Sequence, residues 1–150
     1  MEYIIMMITK NQDFVQEMQG IHYTAETLKI SDQSRLKMIH DTYNKHGVDT
    51  SVLPTFVALE PYQSARDLLK QHNVNISTQK FNKLMIDAGY MEILPRPSKS
   101  NPNKIKKIKI LTDLGMEYGQ NDVTHHAPYN SQPHYFCNKF SELLVKLELI

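Results

Sequence analysis

The sequence predicts an α+β fold, mostly helical, with a winged helix-turn-helix core and additional N-terminal and C-terminal helices. Three observations carry that expectation. Apolar residues recur at helical spacing in four separate stretches. Two of these stretches, 64–72 and 77–88, are separated only by the polar turn Asn73-Val-Asn-Ile76. Two strand-like segments then flank a basic loop rich in proline, serine and asparagine. With 150 residues, 41% of them apolar and 22% charged, the chain has the make-up of a globular protein rather than a disordered or fibrous one.

Residues 1–30 are read as an N-terminal extension, in which Tyr3 to Ile8 form a strand or the start of a helix. Phe14, Val15 and Met18 suggest a helical turn or two ending near Gly20. Residues 31–150 are read as one winged-helix-like domain. Leu36, Ile39 and Tyr43 make a helical stripe, and Gly47 stands where a left-handed residue would stop the helix. Residues 48–61 contain two prolines and read as an extended connector anchored by Leu53, Phe56 and Val57.

The basic helix-turn-helix and wing occupy 64–111. Ser64, with Asp67 three residues on, opens a helix that places Ala65, Leu68, Leu69 and His72 on one face. His72 there reads as a hydrogen-bonded core residue. Ser77 caps a second helix, with Phe81, Leu84, Met85 and Ala88 inward, Gln79, Asn82, Lys83 and Ile86 outward, and Gly89 at its end. Residues 90–94 and 104–110 read as strands, with Ile105, Ile108 and Ile110 inward and the lysines outward. A short helix is expected from Thr112 to Tyr118, a surface loop from Asn121 to Pro133, and a terminal amphipathic helix over 136–149.

Net charge is only +1, from 17 Lys+Arg against 16 Asp+Glu, yet its distribution is uneven. Residues 1–65 carry −3, residues 66–109 carry +7 and residues 110–150 carry −3. The basic third coincides with the helix-turn-helix and wing, and such polarity bears on partners more than the total does. In a helix-turn-helix the second helix enters the major groove. Gln79 and Asn82 suit adenine, Lys83 suits guanine or phosphate, and Ile86 suits a thymine methyl. Arg96, Lys99, Lys104, Lys106 and Lys107 would hold phosphates and supply sequence-independent affinity to double-stranded DNA. The plainer alternative is a lysine-rich solubility face.

Other function classes find little support. The longest apolar run falls far short of a membrane span, and Cys137, the single cysteine, excludes an intrachain disulfide; both fit a protein of the host cytoplasm. His125, His126, His134 and Cys137 cluster in sequence, but their spacing matches no usual zinc ligand set, so neither a metal nor a cofactor is expected. There is no Gly-rich phosphate loop, G-x-S-x-G, H-E-x-x-H or C-x-x-C, and the i, i+4 pair Asp113 and Glu117 reads as a solvated helix face. Catalysis is not expected.

Several segments in order add a resemblance. They are Ser64-Ala-Arg-Asp-Leu-Leu-Lys, Ile76-Ser-Thr-Gln-Lys-Phe-Asn-Lys-Leu-Met-Ile-Asp-Ala-Gly89, Leu111-Thr-Asp-Leu-Gly-Met-Glu-Tyr-Gly-Gln-Asn121, Gln132-Pro-His-Tyr-Phe136 and Phe140-Ser-Glu-Leu-Leu144. Together, and more weakly from residue 31, they resemble the C-terminal module of phage antirepressor-like regulators. The resemblance implies a phage or prophage regulatory protein built around a winged-helix unit. In that family the module commonly follows a separate N-terminal domain, where this chain has about thirty residues. Two roles follow: a DNA-binding regulator of transcription, or a protein-binding inhibitor that grips a phage repressor or a host defence complex, as an anti-CRISPR protein does. A homodimer is compatible with either, and the terminal apolar stripe either packs on the core or joins two subunits.

Overall fold

The computed structural model describes residues 1–55, 61–98, 100–124 and 127–150 (backbone only for 124 and 127–130). The fold is mixed α+β with more helix than strand, in two compact units, Met1–Val57 and Ala58–Ile150. The division therefore falls after the second helix rather than at residue 30. Phe56 and Val57, expected to anchor the connector, lie outside the described residues.

The first unit is a pair of helices, α1 (Glu2–Thr27) and α2 (Asp32–Lys45). Helix α1 is far longer than expected and runs straight through Gly20. The stripe Phe14, Met18, Ile21, Ala25 and Leu28 continues past that glycine, and Ile21, Ala25 and Leu28 are buried. Packing of such a stripe outweighs the roughly 1 kcal/mol that a helical glycine costs. The Phe14 ring meets Tyr43 and His46 edge-on, each at 5.5 Å. Glu17 pairs with Lys45 and, at 3.3 Å, with His46, while Glu26 pairs with Arg35 at 2.6 Å. Helix α2 is capped by the Ser31 side chain, and Gly47 takes the left-handed φ of +68° just past its end, as expected.

The second unit opens with the short strand β1 (Tyr62–Gln63) and helices α3 (Ala65–Gln71) and α4 (Thr78–Asp87). Both caps read from sequence are made: Ser64 Oγ accepts from Asp67 N, and Ser77 Oγ accepts from Lys80 N. Asn73, at φ +56°, turns the chain between them, and Gly89, at φ +79°, ends α4. Leu68, Leu69, Phe81 and Met85 point into one core. His72 caps the end of α3 and is half-buried with its ring tilted over Phe140.

Two antiparallel strands follow, β2 (Met91–Pro97) and β3 (Ile105–Leu111). Ile108 and Ile110 are buried, but Ile105 is 73% exposed, against expectation. Side chains alternate faces along a strand, and the double lysine 106–107 shifts parity, so Ile105 lies on the face opposite Ile108 and Ile110.

The segment 112–136 departs most from expectation. Thr112 to Tyr118 holds one 3₁₀ turn (Gly115–Glu117) rather than a helix. The expected loop from Asn121 to Pro133 is instead largely a hairpin, β4 (Gly119–Thr124) against β5 (Ala127–Phe136), and β1 completes the sheet in the order β1-β5-β4. Asn121 is fully buried: its Oδ1 accepts from Leu111 N at 2.8 Å and its Nδ2 donates to Leu111 O at 3.2 Å. The side-chain amide thus satisfies backbone groups at the end of β3, which is why a polar residue belongs in the core here. Gly115 and Gly119 let backbones touch: a Cβ would lie 1.9 Å from Tyr90 O at the first and 2.2 Å from His134 O at the second.

The terminal helix α5 (Phe140–Lys146) is shorter than the expected 136–149, because Tyr135 and Phe136 are used in pairing with β1. Its apolar stripe Phe140, Leu143 and Leu144 is wholly buried inside the unit, so of the two roles open to it from sequence it takes the one of packing on the core.

Candidate nucleic-acid interface

The order helix, turn, helix, strand, basic loop, strand expected of residues 64–111 is the order observed. Within α4, Phe81 and Met85 are fully buried and hold the helix by one side. The opposite side carries Gln79 and Lys83, both exposed and four residues apart, so they share a face. Asn82 is half-buried at the edge of that face. Ile86 is partly buried and packs against the core, so it is not the outward apolar contact the sequence suggested. Lys80 is exposed beside Lys83 and extends the cationic surface. The three-residue spacing of Lys80 and Lys83 could have signalled this.

The β2–β3 hairpin, in the place expected of the wing, concentrates charge through its register. Arg96 stands directly across from Lys106, Pro95 from Lys107 and Ile93 from Lys109. Directly opposed like charges destabilise a strand pair, so the Arg96–Lys106 position is costly unless an anion or solvent screens it. Arg96 is half-buried, and its Nε is enclosed without a hydrogen-bond partner among the described residues. Lys104, Lys106, Lys107 and Lys109 are exposed. Because 106 and 107 are consecutive, one wing face carries Arg96 and Lys106 and the other carries Lys107 and Lys109. Lys109 was missed as a site residue, although its place in the Lys/Ile alternation was visible. The loop is closed by Ser98 N donating to Lys104 O at 2.8 Å and Lys104 N to Asn101 O at 2.9 Å. Lys99 lies outside the described residues.

No family model, curated protein or solved structure matches the chain. Function therefore has to be argued from these residues.

The histidine cluster does not assemble among the described residues. His134 Nδ1 lies 2.9 Å from Asp122 Oδ2, and Gln120 donates to both oxygens of that buried carboxylate at 3.0 Å. Cys137 is half-buried, with its backbone N–H bonded to Pro61 O. No group of three metal-ligating side chains is found among the described residues; His125 and His126 lie outside them. No helix among the described residues is long and apolar enough to cross a membrane.

Proposed function

We propose that residues 64–111 form a winged helix-turn-helix that binds double-stranded DNA, in a phage or prophage protein that regulates transcription. The observation that carries this reading is the Arg96–Lys106 cross-strand pair. Two cations placed opposite each other weaken the hairpin by themselves and become favourable when a phosphate oxygen lies between or beside them. The exposed Lys104, Lys107 and Lys109 extend the same hairpin. In this reading α4 enters the major groove and presents Gln79 and Lys83 to base edges, with Asn82 at the margin and Lys80 at phosphate. The role is binding rather than catalysis, with no cofactor and no metal, and the setting is the host cytoplasm.

The test is a fluorescence-anisotropy titration of duplex DNA over a range of salt. Affinity should fall linearly on a log–log plot, with a slope of about −4 to −5 if five cations meet phosphates. No binding at low salt would end this reading.

One observation favours the second role, a protein-binding inhibitor of a phage repressor or host defence complex. Ile105, 73% exposed, and Ile93, 42% exposed, share a hairpin face with Pro95 and Pro97 as well as with Lys107 and Lys109, and phosphate contact does not explain the apolar members. Loss of partner capture by Ile105→Ser, with DNA binding intact, would establish that role.

A further inference from the structure

Helix α1 carries two apolar stripes, and its own unit covers one. The stripe from Phe14 to Leu28 packs on α2. On the other side Ile5, Ile8, Gln12, Val15 and Gln19 recur at alternating intervals of three and four residues, the a/d seam of a heptad. Ile5 is 57%, Ile8 52% and Val15 50% exposed. Helix α2 ends beside Phe14 and Glu17, so α1 also runs on past it for residues 2–13. In that overhang Tyr3, Ile4, Met6 and Met7 are exposed too, so from Tyr3 to Ile8 the helix is apolar all round. A helix of that character is normally buried.

We infer that α1 is a self-association element, in which two copies of this chain pair through the seam of Ile5, Ile8, Gln12 and Val15. A two-fold interface sets each residue type against the same surface, so it must avoid charge along its seam. Here the charged residues Lys10, Asp13 and Glu17 lie off the seam. From residue 4 to residue 16 its positions and immediate flanks (Ile4, Thr9, Asn11, Gln16) carry no charge. Gln12 sits mid-seam and can both donate to and accept from its own copy, in the way a single buried amide sets register. On the seam side Ile4, Ile5, Ile8 and Val15 expose roughly 100 Å² apiece, about half of the roughly 800 Å² per partner of a specific interface, and Asn11, Gln12 and Gln16 line the same groove. A lipid surface fits less well, because Lys10 is the only Lys or Arg before residue 29, whereas interfacial helices carry basic polar faces.

Sedimentation equilibrium of the full chain, from about 1 to 100 µM, tests the inference. The expected mass rises from 17.4 kDa toward twice that value. Ile5→Gln with Ile8→Gln changes two exposed helical positions to another good helix former, so folding is not at stake. The double variant should weaken association about 100-fold or more with an unchanged helical circular-dichroism signal. Gln12→Glu should weaken association at neutral pH and recover in acid, as the facing carboxylates take up protons. Val145→Gln, an exposed apolar position on α5, should leave association intact. A wild-type monomer across the range overturns the inference, as does a dimer indifferent to the double variant. So does a monomer that instead co-sediments with phosphatidylserine vesicles.

Discussion

Replacing Lys106 by glutamate should strengthen the fold and weaken DNA binding at once. Lys106 is exposed and faces Arg96 directly across the β2–β3 ladder. Opposite charges in such a position contribute roughly 0.2–1 kcal/mol, and like charges cost a similar amount. With the exposed partner screened by water, the exchange is worth about 0.5–1 kcal/mol to the hairpin. For a unit of this size that raises Tm by about 2–6 °C. At the proposed interface the same change removes one phosphate contact and adds an anion beside it. The log–log salt slope should fall by about 1–2 and affinity by about tenfold or more. Lys106→Gln, which ends the repulsion without making a pair, should be intermediate on both scales. Thermal melting followed by circular dichroism and anisotropy titration of a duplex measure the two effects on one preparation. A lower Tm for Lys106→Glu would refute the cross-strand pairing. A higher Tm with unchanged affinity and slope would refute phosphate contact by this face of the wing.

Gly115→Ala should cost about 3 kcal/mol or more in urea unfolding, because its Cβ would sit 1.9 Å from the Tyr90 carbonyl oxygen; a cost below about 1 kcal/mol would contradict that approach. Parity along β3 predicts that Ile108→Ala costs about 2–5 kcal/mol while Ile105→Ala changes stability by about 0.5 kcal/mol or less. A larger cost at Ile105 than at Ile108 would show the opposite register, and equal costs would refute the one-sided burial. The Lys45 ammonium, and less strongly His46, hold the Glu17 carboxyl below its ordinary value of 4.5. A carboxylate with a depressed folded pKa stabilises above its unfolded pKa, and that contribution is lost as pH falls through the folded value. The α1–α2 pair should therefore loosen as pH drops below about 4.5, and Glu17→Gln should flatten this dependence; an unchanged acid profile in that variant would rule the pair out as its source.

The elements best read from sequence are those whose determinants lie within a few residues. Ser64 and Ser77 announce α3 and α4 because a capping side chain bonds the backbone three residues on. Gly47 and Gly89 end helices because a left-handed residue is needed at those points. The cationic face was legible in the same way, as charge at helical and strand spacing. Gln79, Lys83, Lys104, Lys106 and Lys107 are all exposed. Ile86 was misplaced because the apolar face of α4 is wider than one stripe, a width set by what packs against it. Gly20 misled for the opposite reason: its weak local preference against helix yields to the stripe that continues on either side.

The hairpin of β4 and β5 was beyond local reading. Asn121, Asp122, Ser131 and Gln132 look like loop chemistry, yet three of the four are buried, and for Asn121 and Asp122 the polar groups they bond come from distant parts of the chain. Asn121 serves the backbone of Leu111, and Asp122 meets His134 across the ladder. Strand parity sets Ile105 opposite Ile108 and Ile110, but which of the two faces is covered depends on the packing of the hairpin. What the sequence by itself determined was the order of α3, α4 and the β2–β3 hairpin and the position of the +7 third, since both depend on short-range spacing and composition. What only the tertiary structure decided was strand register, which places Arg96 against Lys106 and turns Ile105 to solvent. Register depends on a partner strand many residues away, and a shift of one residue exchanges the two faces.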